Sequence, residues 1–128
     1  MNKTVSILLK LIAATIMLQT LFFKFSGAEQ SIELFTTIAG ENEAFLRIGT
    51  GVSELIASIL LFLPKKNWLG ALLTIGLMGG AIASHLTILG IVHNNDNGIL
   101  FLGAVITFIS GALLLIHHKK DIPIFGEK

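Results

Sequence analysis

The sequence predicts an all-α membrane protein: a four-transmembrane-helix antiparallel bundle, both termini cytoplasmic, with a longer outer loop between helices 1 and 2. Three observations predict it. Composition comes first: of 128 residues, 53% are hydrophobic and 13% are charged, and the mean hydropathy is +0.83. A water-soluble domain carries about 25% charged residues, so much of this surface is built for lipid. The second is the presence of four apolar stretches of membrane-crossing length. The third is that lysine gathers on one side of them.

A helix needs about 20 apolar residues to cross the hydrocarbon layer. The expected spans are 5–23, 45–63, 68–92 and 98–116, within a single domain over 1–128. Pro64–Asn67 leaves room only for a tight hairpin, and Pro64 suits a helix end. His93–Asn97 is an equally short turn of turn-forming residues. The connection from Lys24 to Ala44 is longer. In it Ile32, Leu34, Phe35 and Ile38 alternate with polar residues, which suits either a short helix on the membrane surface or an inert lid.

Orientation follows from the short loops. Lys3, Lys65, Lys66, Lys119, Lys120 and Lys128 fall on one side, with Lys10 near it. Glu29, Glu33, Glu41, Glu43 and Asp96 fall on the other, joined only by Lys24 and Arg47. The lysine-rich side is expected to be cytoplasmic. A competing view takes Lys3, the first apolar run and Ser26-Gly27-Ala28 as a cleavable signal, but the run is long for a signal core.

Composition also excludes functions. A net charge of +1 supplies no basic field for nucleic acid. The absence of cysteine removes disulfide exchange and thiolate metal ligation, so any redox role uses a bound cofactor or a partner. No metal site is expected. His117 and His118 are adjacent, which on a helix turns them to different faces, and they suit the interface. Phe22, Phe23, Phe25 and Trp68 fit interfacial aromatic belts.

Ionisable groups at membrane depth mark a functional site or a buried pair by default. Glu54 stands at the midpoint of the second span, with Arg47 two turns earlier on the same face and Thr50 between them. His85 lies about one-third of the way into the third span from its outer end. Gln19 and Thr107 fall at similar depth on the first and fourth spans, and Lys24 sits at the mouth. The inner half carries little beyond Thr74 and Ser6. A polar pocket in the outer half is therefore expected, with Glu54 and His85 as a proton-carrying pair. The competing interpretation is a structural lock that holds the helices in register. Gly76, Gly80 and Ser84, like Gly79 and Ala83, are spaced for close helix approach, and Gly49 and Gly51 suit the same use.

Several stretches together resemble the DoxX-like family of small four-helix bacterial membrane proteins. They are Phe23-Lys24-Phe25-Ser26-Gly27, then Arg47-Ile48-Gly49-Thr50-Gly51-Val52-Ser53-Glu54, then Gly70 to Gly80, then Ser84-His85-Leu86-Thr87 and an Asn/Asp/Gly turn. The resemblance implies a four-helix bundle in a prokaryotic inner membrane. It also implies two kinds of role. The family's name comes from a subunit of an archaeal thiosulfate:quinone oxidoreductase, and a mycobacterial relative is linked to a membrane oxidoreductase complex. More distant animal relatives act as membrane chaperones or cargo receptors.

Two functions follow as expectations. One is an accessory or quinone-interacting subunit of a membrane oxidoreductase, with Glu54, His85, Arg47, Gln19, Lys24, Thr50 and Thr107 as ligand-binding or proton-relay candidates. The other is a non-catalytic assembly, chaperone or interaction protein in which those residues are structural. Expected partners are the lipid bilayer, a membrane oxidoreductase and further copies of the chain. Transport ranks behind both, since four helices without an inverted repeat would need to oligomerise.

Overall fold

The computed structural model describes residues 2–92 and 98–123. The expected turn His93–Asn97, with Asp96, lies outside the described residues, as does Lys128. Six α-helices are present among the described residues: α1 (Lys3–Leu18), α2 (Leu21–Ser26), α3 (Glu29–Ala39), α4 (Glu43–Leu61), α5 (Asn67–Ser84) and α6 (Ile99–His117). A π-helical turn, His85–Leu89, extends α5. No strand occurs among the described residues. Four helical stretches are long and apolar enough to cross a membrane: Lys3–Ser26, Glu29–Leu61, Asn67–Leu89 and Ile99–His117.

The four long helices form a ring in which α1 packs on α4 and α6, and α5 packs on α4 and α6. Neighbours run antiparallel. Gly70 of α5 faces Ala57 and Leu61 of α4, and Gly111 of α6 faces Ala71 and Thr74 of α5. Gly103 of α6 meets Ile16 of α1, while Lys3 and Ile7 of α1 share a pocket with Phe62 and His117. The core is narrow and made largely of small side chains, including Ala13, Ala57, Ala71 and Ala104 around Met17, Leu61 and Leu114. Lipid offers helices no hydrophobic reason to associate, so close van der Waals approach must hold them. The outward faces are apolar: Leu8, Leu11, Ile59, Leu72, Ile109 and Ile116 are all exposed. That is a surface in contact with the lipid bilayer.

The glycines that permit close packing differ from those expected. A Cβ on Gly70 would stand 2.6 Å from the Leu61 backbone nitrogen and 2.9 Å from the Ala57 carbonyl. Gly70 is therefore where α4 and α5 touch backbone to backbone. Gly76 and Gly80 are exposed, with open space where a Cβ would go, and Gly49 is the same. The spacing of four was correct for a helix face, but that face points out of the bundle. Gly51 does serve a contact, with the Phe25 ring, where a Cβ would come within 2.7 Å of Cε1.

The ends of the spans also differ. The first breaks at Gln19–Thr20 and resumes as α2, which Gly27 closes at φ 74°. The long connection is helical: α3 packs against α4 and the π turn and buries Phe35. The third span leaves its α-helix at Ser84, so its last turns are π-helical and stop at Leu89. The α4–α5 connection is as short as expected. There Asn67 donates a hydrogen bond from Nδ2 to the Leu61 carbonyl, satisfying an acceptor that the end of α4 leaves open.

Candidate functional site

At the end of the bundle that carries α2 and α3, four charged side chains gather. Lys24 Nζ stands 2.9 Å from Glu54 Oε1, with both side chains largely buried. The same ammonium donates to Thr20 Oγ1 at 2.6 Å. Arg47 donates from Nε to Glu43 Oε1 at 2.9 Å and, more weakly, from Nη2 to Oε2 at 3.4 Å. Its Nη1 donates to the Lys24 carbonyl at 2.6 Å. Two cations and two carboxylates thus balance, and Arg47 ties the backbone of α2 to α4.

The helix break at Thr20 is part of this arrangement. Thr20 is the N-cap of α2: its carbonyl accepts the first helical bond from the Lys24 N–H at 3.0 Å, and its hydroxyl receives the Lys24 ammonium one turn along. The Phe25 ring on Gly51 presses α2 onto α4 and keeps Lys24 beside Glu54.

Glu54 is 5% exposed, among the most secluded ionisable groups in the chain. Its Oε1 lies 2.9 Å from the Lys24 ammonium, its one polar contact among the described residues. A carboxylate oxygen accepts two bonds readily. This atom therefore keeps unused capacity in a place where desolvation is costly.

His85 is the second secluded group, 4% exposed, where α5 gives way to the π turn. Its Nδ1 lies 2.9 Å from the Gly90 carbonyl. A carbonyl only accepts, so Nδ1 carries a proton and donates it to this bond. The ring packs edge-on against Phe101 of α6, with centroids 5.7 Å apart. π-Helical turns inside α-helices recur at functional sites because they re-aim a side chain.

Glu54 and His85, the expected proton-carrying pair, are not in direct contact: Glu54 pairs with Lys24 and His85 Nδ1 with the Gly90 carbonyl. Depth counting placed both at a similar level but could not foresee that α1 breaks and α2 delivers a lysine to Glu54. The helix α3, packed on both α4 and the π turn, connects the two groups structurally.

The other candidates divide. Arg47 and Lys24 belong to the cluster. Thr50 is half-buried on α4. Thr107 is fully buried on α6 with its hydroxyl unpartnered, as is the Ser58 hydroxyl one turn below Glu54. Gln19 is exposed at the end of α1 and takes no part. Thr20 and Glu43 were missed. Their signal was the i,i+4 spacing to Lys24 and Arg47, which places partners on one helix face. The other half of the bundle is also more polar than expected, since Asn67 and Ser110 are buried there. Those groups are neutral; Ser110 donates to Ile106 and Thr74 to Gly70 within their own helices.

The DoxX family model matches residues 5–93, which span α1 to the end of the third crossing and so include Lys24, Arg47, Glu54 and His85. The chain belongs to the DoxX family. No curated protein and no solved structure matches it. As a DoxX protein with four apolar crossing stretches, it is a multi-pass membrane protein.

Proposed function

We propose that this DoxX protein is an accessory, quinone-interacting subunit of a membrane oxidoreductase. It sits in a bacterial cytoplasmic membrane with both termini inside and α2 and α3 on the outer side. The carrying observation is the secluded Lys24–Glu54 pair, in which Glu54 Oε1 has capacity to accept a further hydrogen bond.

Reducing a quinone adds two electrons and two protons at its carbonyl oxygens. The Lys24 ammonium has three N–H donors; Thr20 takes one and Glu54 faces another, which leaves one to steady a quinone carbonyl. Glu54 and His85 Nε2 each take a proton from outer-side water and pass it to a quinone oxygen as the electrons arrive, and then accept hydrogen bonds from the resulting hydroxyls. The electrons come from a redox centre on the partner. Recovery of the detergent-purified protein with bound quinone and a redox-active partner is expected. Recovery with neither would sink this role.

A second reading, a non-catalytic assembly protein, is favoured by Gly76 and Gly80, whose exposed face leaves room for another helix. The two readings part on substitution. Assembly requires that Gly76→Leu with Gly80→Leu release the partner while Glu54→Gln retains it. The quinone role requires the opposite pattern for quinone retention.

A further inference from the structure

At the opposite end of the bundle, where α1 begins and α6 ends, an open pocket of about 550 Å³ lies between α1, α6 and the α4–α5 connection. Lys3, Ser6, Lys10, His117 and His118 supply its polar wall. Ile7 and Phe62, both exposed on the apolar outer surface, supply the rest. We propose that this pocket binds the phosphodiester of an anionic phospholipid, with Lys3, Lys10 and the histidines around the phosphate and the acyl chains along Ile7 and Phe62.

Three observations carry it. The wall offers hydrogen-bond donors from five side chains and, among the described residues, contains no carboxylate. Lys24 and Arg47 are paired with Glu54 and Glu43, whereas no ion pair among the described residues reaches Lys3 or Lys10. Lys10 is half-buried, and an unpaired ammonium drawn out of water beside lipid calls for an anion. His118 Nε2 is shut from solvent without a hydrogen-bond partner, and rotation of the ring would turn it to the pocket.

The two histidines reach one pocket because only His117 is helical. His118 is the cap of α6, at φ −101° and ψ 15°, so its ring turns back and meets His117 edge-on at 4.8 Å. The expectation that adjacent histidines diverge holds within a helix and fails at its last residue. Burial, reinforced by the charges of Lys10, His117 and Lys120 and opposed by Asp121, pushes His118 down to about 4. The ring is therefore neutral near pH 7, and the positive charge of the pocket rests on its lysines. Basic pockets between membrane helices hold phospholipid headgroups by this chemistry.

The test is native mass spectrometry of the full chain in detergent, titrated with dioleoyl phosphatidylglycerol, dioleoyl phosphatidylcholine and inorganic phosphate. Phosphatidylglycerol should bind at least about tenfold tighter than phosphatidylcholine, given the contribution of each lysine near an anionic surface. Lys10→Gln should abolish most of that preference. Lys3→Gln, at an exposed position where folding is not at risk, should reduce it by several-fold. Equal binding of the two lipids, or an unchanged preference in both variants, would overturn the proposal. Binding of inorganic phosphate with no preference between the lipids would overturn the lipid as its source.

Discussion

At the α2–α3 end of this DoxX protein, Lys24 and Arg47 are matched by Glu54 and Glu43 within ion-pair distance. At the opposite end, Lys3 and Lys10 line a pocket in whose wall no carboxylate stands among the described residues. Both ends place cations beside lipid, yet one neutralises them internally and the other leaves them open. Internal pairing fixes geometry: it holds α2 on α4 and leaves only selected atoms, such as Glu54 Oε1, with capacity to spare. Unpaired cations fix nothing by themselves and depend on an anion from outside. The first arrangement suits a site that orients a neutral ligand, the second a surface that recognises charge.

Breaking the paired end should have the largest effect. Glu54→Ala leaves the Lys24 ammonium without its partner in a secluded place, at a cost of about 4 kcal/mol. Adding Lys24→Met should recover most of that loss. Reversible unfolding in mixed micelles reads both, and a double variant no more stable than Glu54→Ala would contradict the pairing.

The close contacts at the two ends should respond less strongly and in different ways. Gly70→Ala drives a methyl into the backbone of α4, which cannot move aside, so a loss of about 3 kcal/mol is expected, with no side-chain change to relieve it. Gly51→Ala meets only the edge of the Phe25 ring and should cost about 1 kcal/mol. Combining it with Phe25→Leu should restore stability. Equal losses at the two glycines would remove the distinction between a backbone contact and a ring contact.

His118 gives a smaller effect, set by pH. Its folded value of about 4 lies below the ordinary value of 6.5, so the unfolded chain takes up the proton first. The ring therefore costs no stability above about pH 6.5, and stability declines as pH falls from there towards 4. Partial exposure keeps the size well below that of a fully buried ring. His118→Gln should flatten this part of the melting-temperature profile, and bound phosphatidylglycerol should do the same. A variant whose profile parallels the native one would assign the decline to other groups.

Four crossings could be read from the sequence because hydropathy and length are direct physical requirements of the bilayer. Partners could not. Lys24 reaches Glu54 only because α1 breaks at Thr20, and no spacing rule within one span encodes that break. The glycine spacing in α5 marked a face but not its direction; Gly76 and Gly80 look outward while Gly70 touches α4. Direction depends on the neighbours, and a periodic pattern in one helix carries no information about them. The pocket at the terminal end was hidden for the same reason, because Lys10, Phe62 and His118 come from three separate segments.

The most direct test of the proposed role is the thermal stability of the detergent-purified chain against a quinone series, compared with Glu54→Gln and His85→Ala. Quinone should raise the melting temperature of the native protein and leave both variants unmoved. Absence of any quinone effect, with both variants melting lower than the native chain, would make the Lys24–Glu54 cluster a structural lock and contradict a ligand site there.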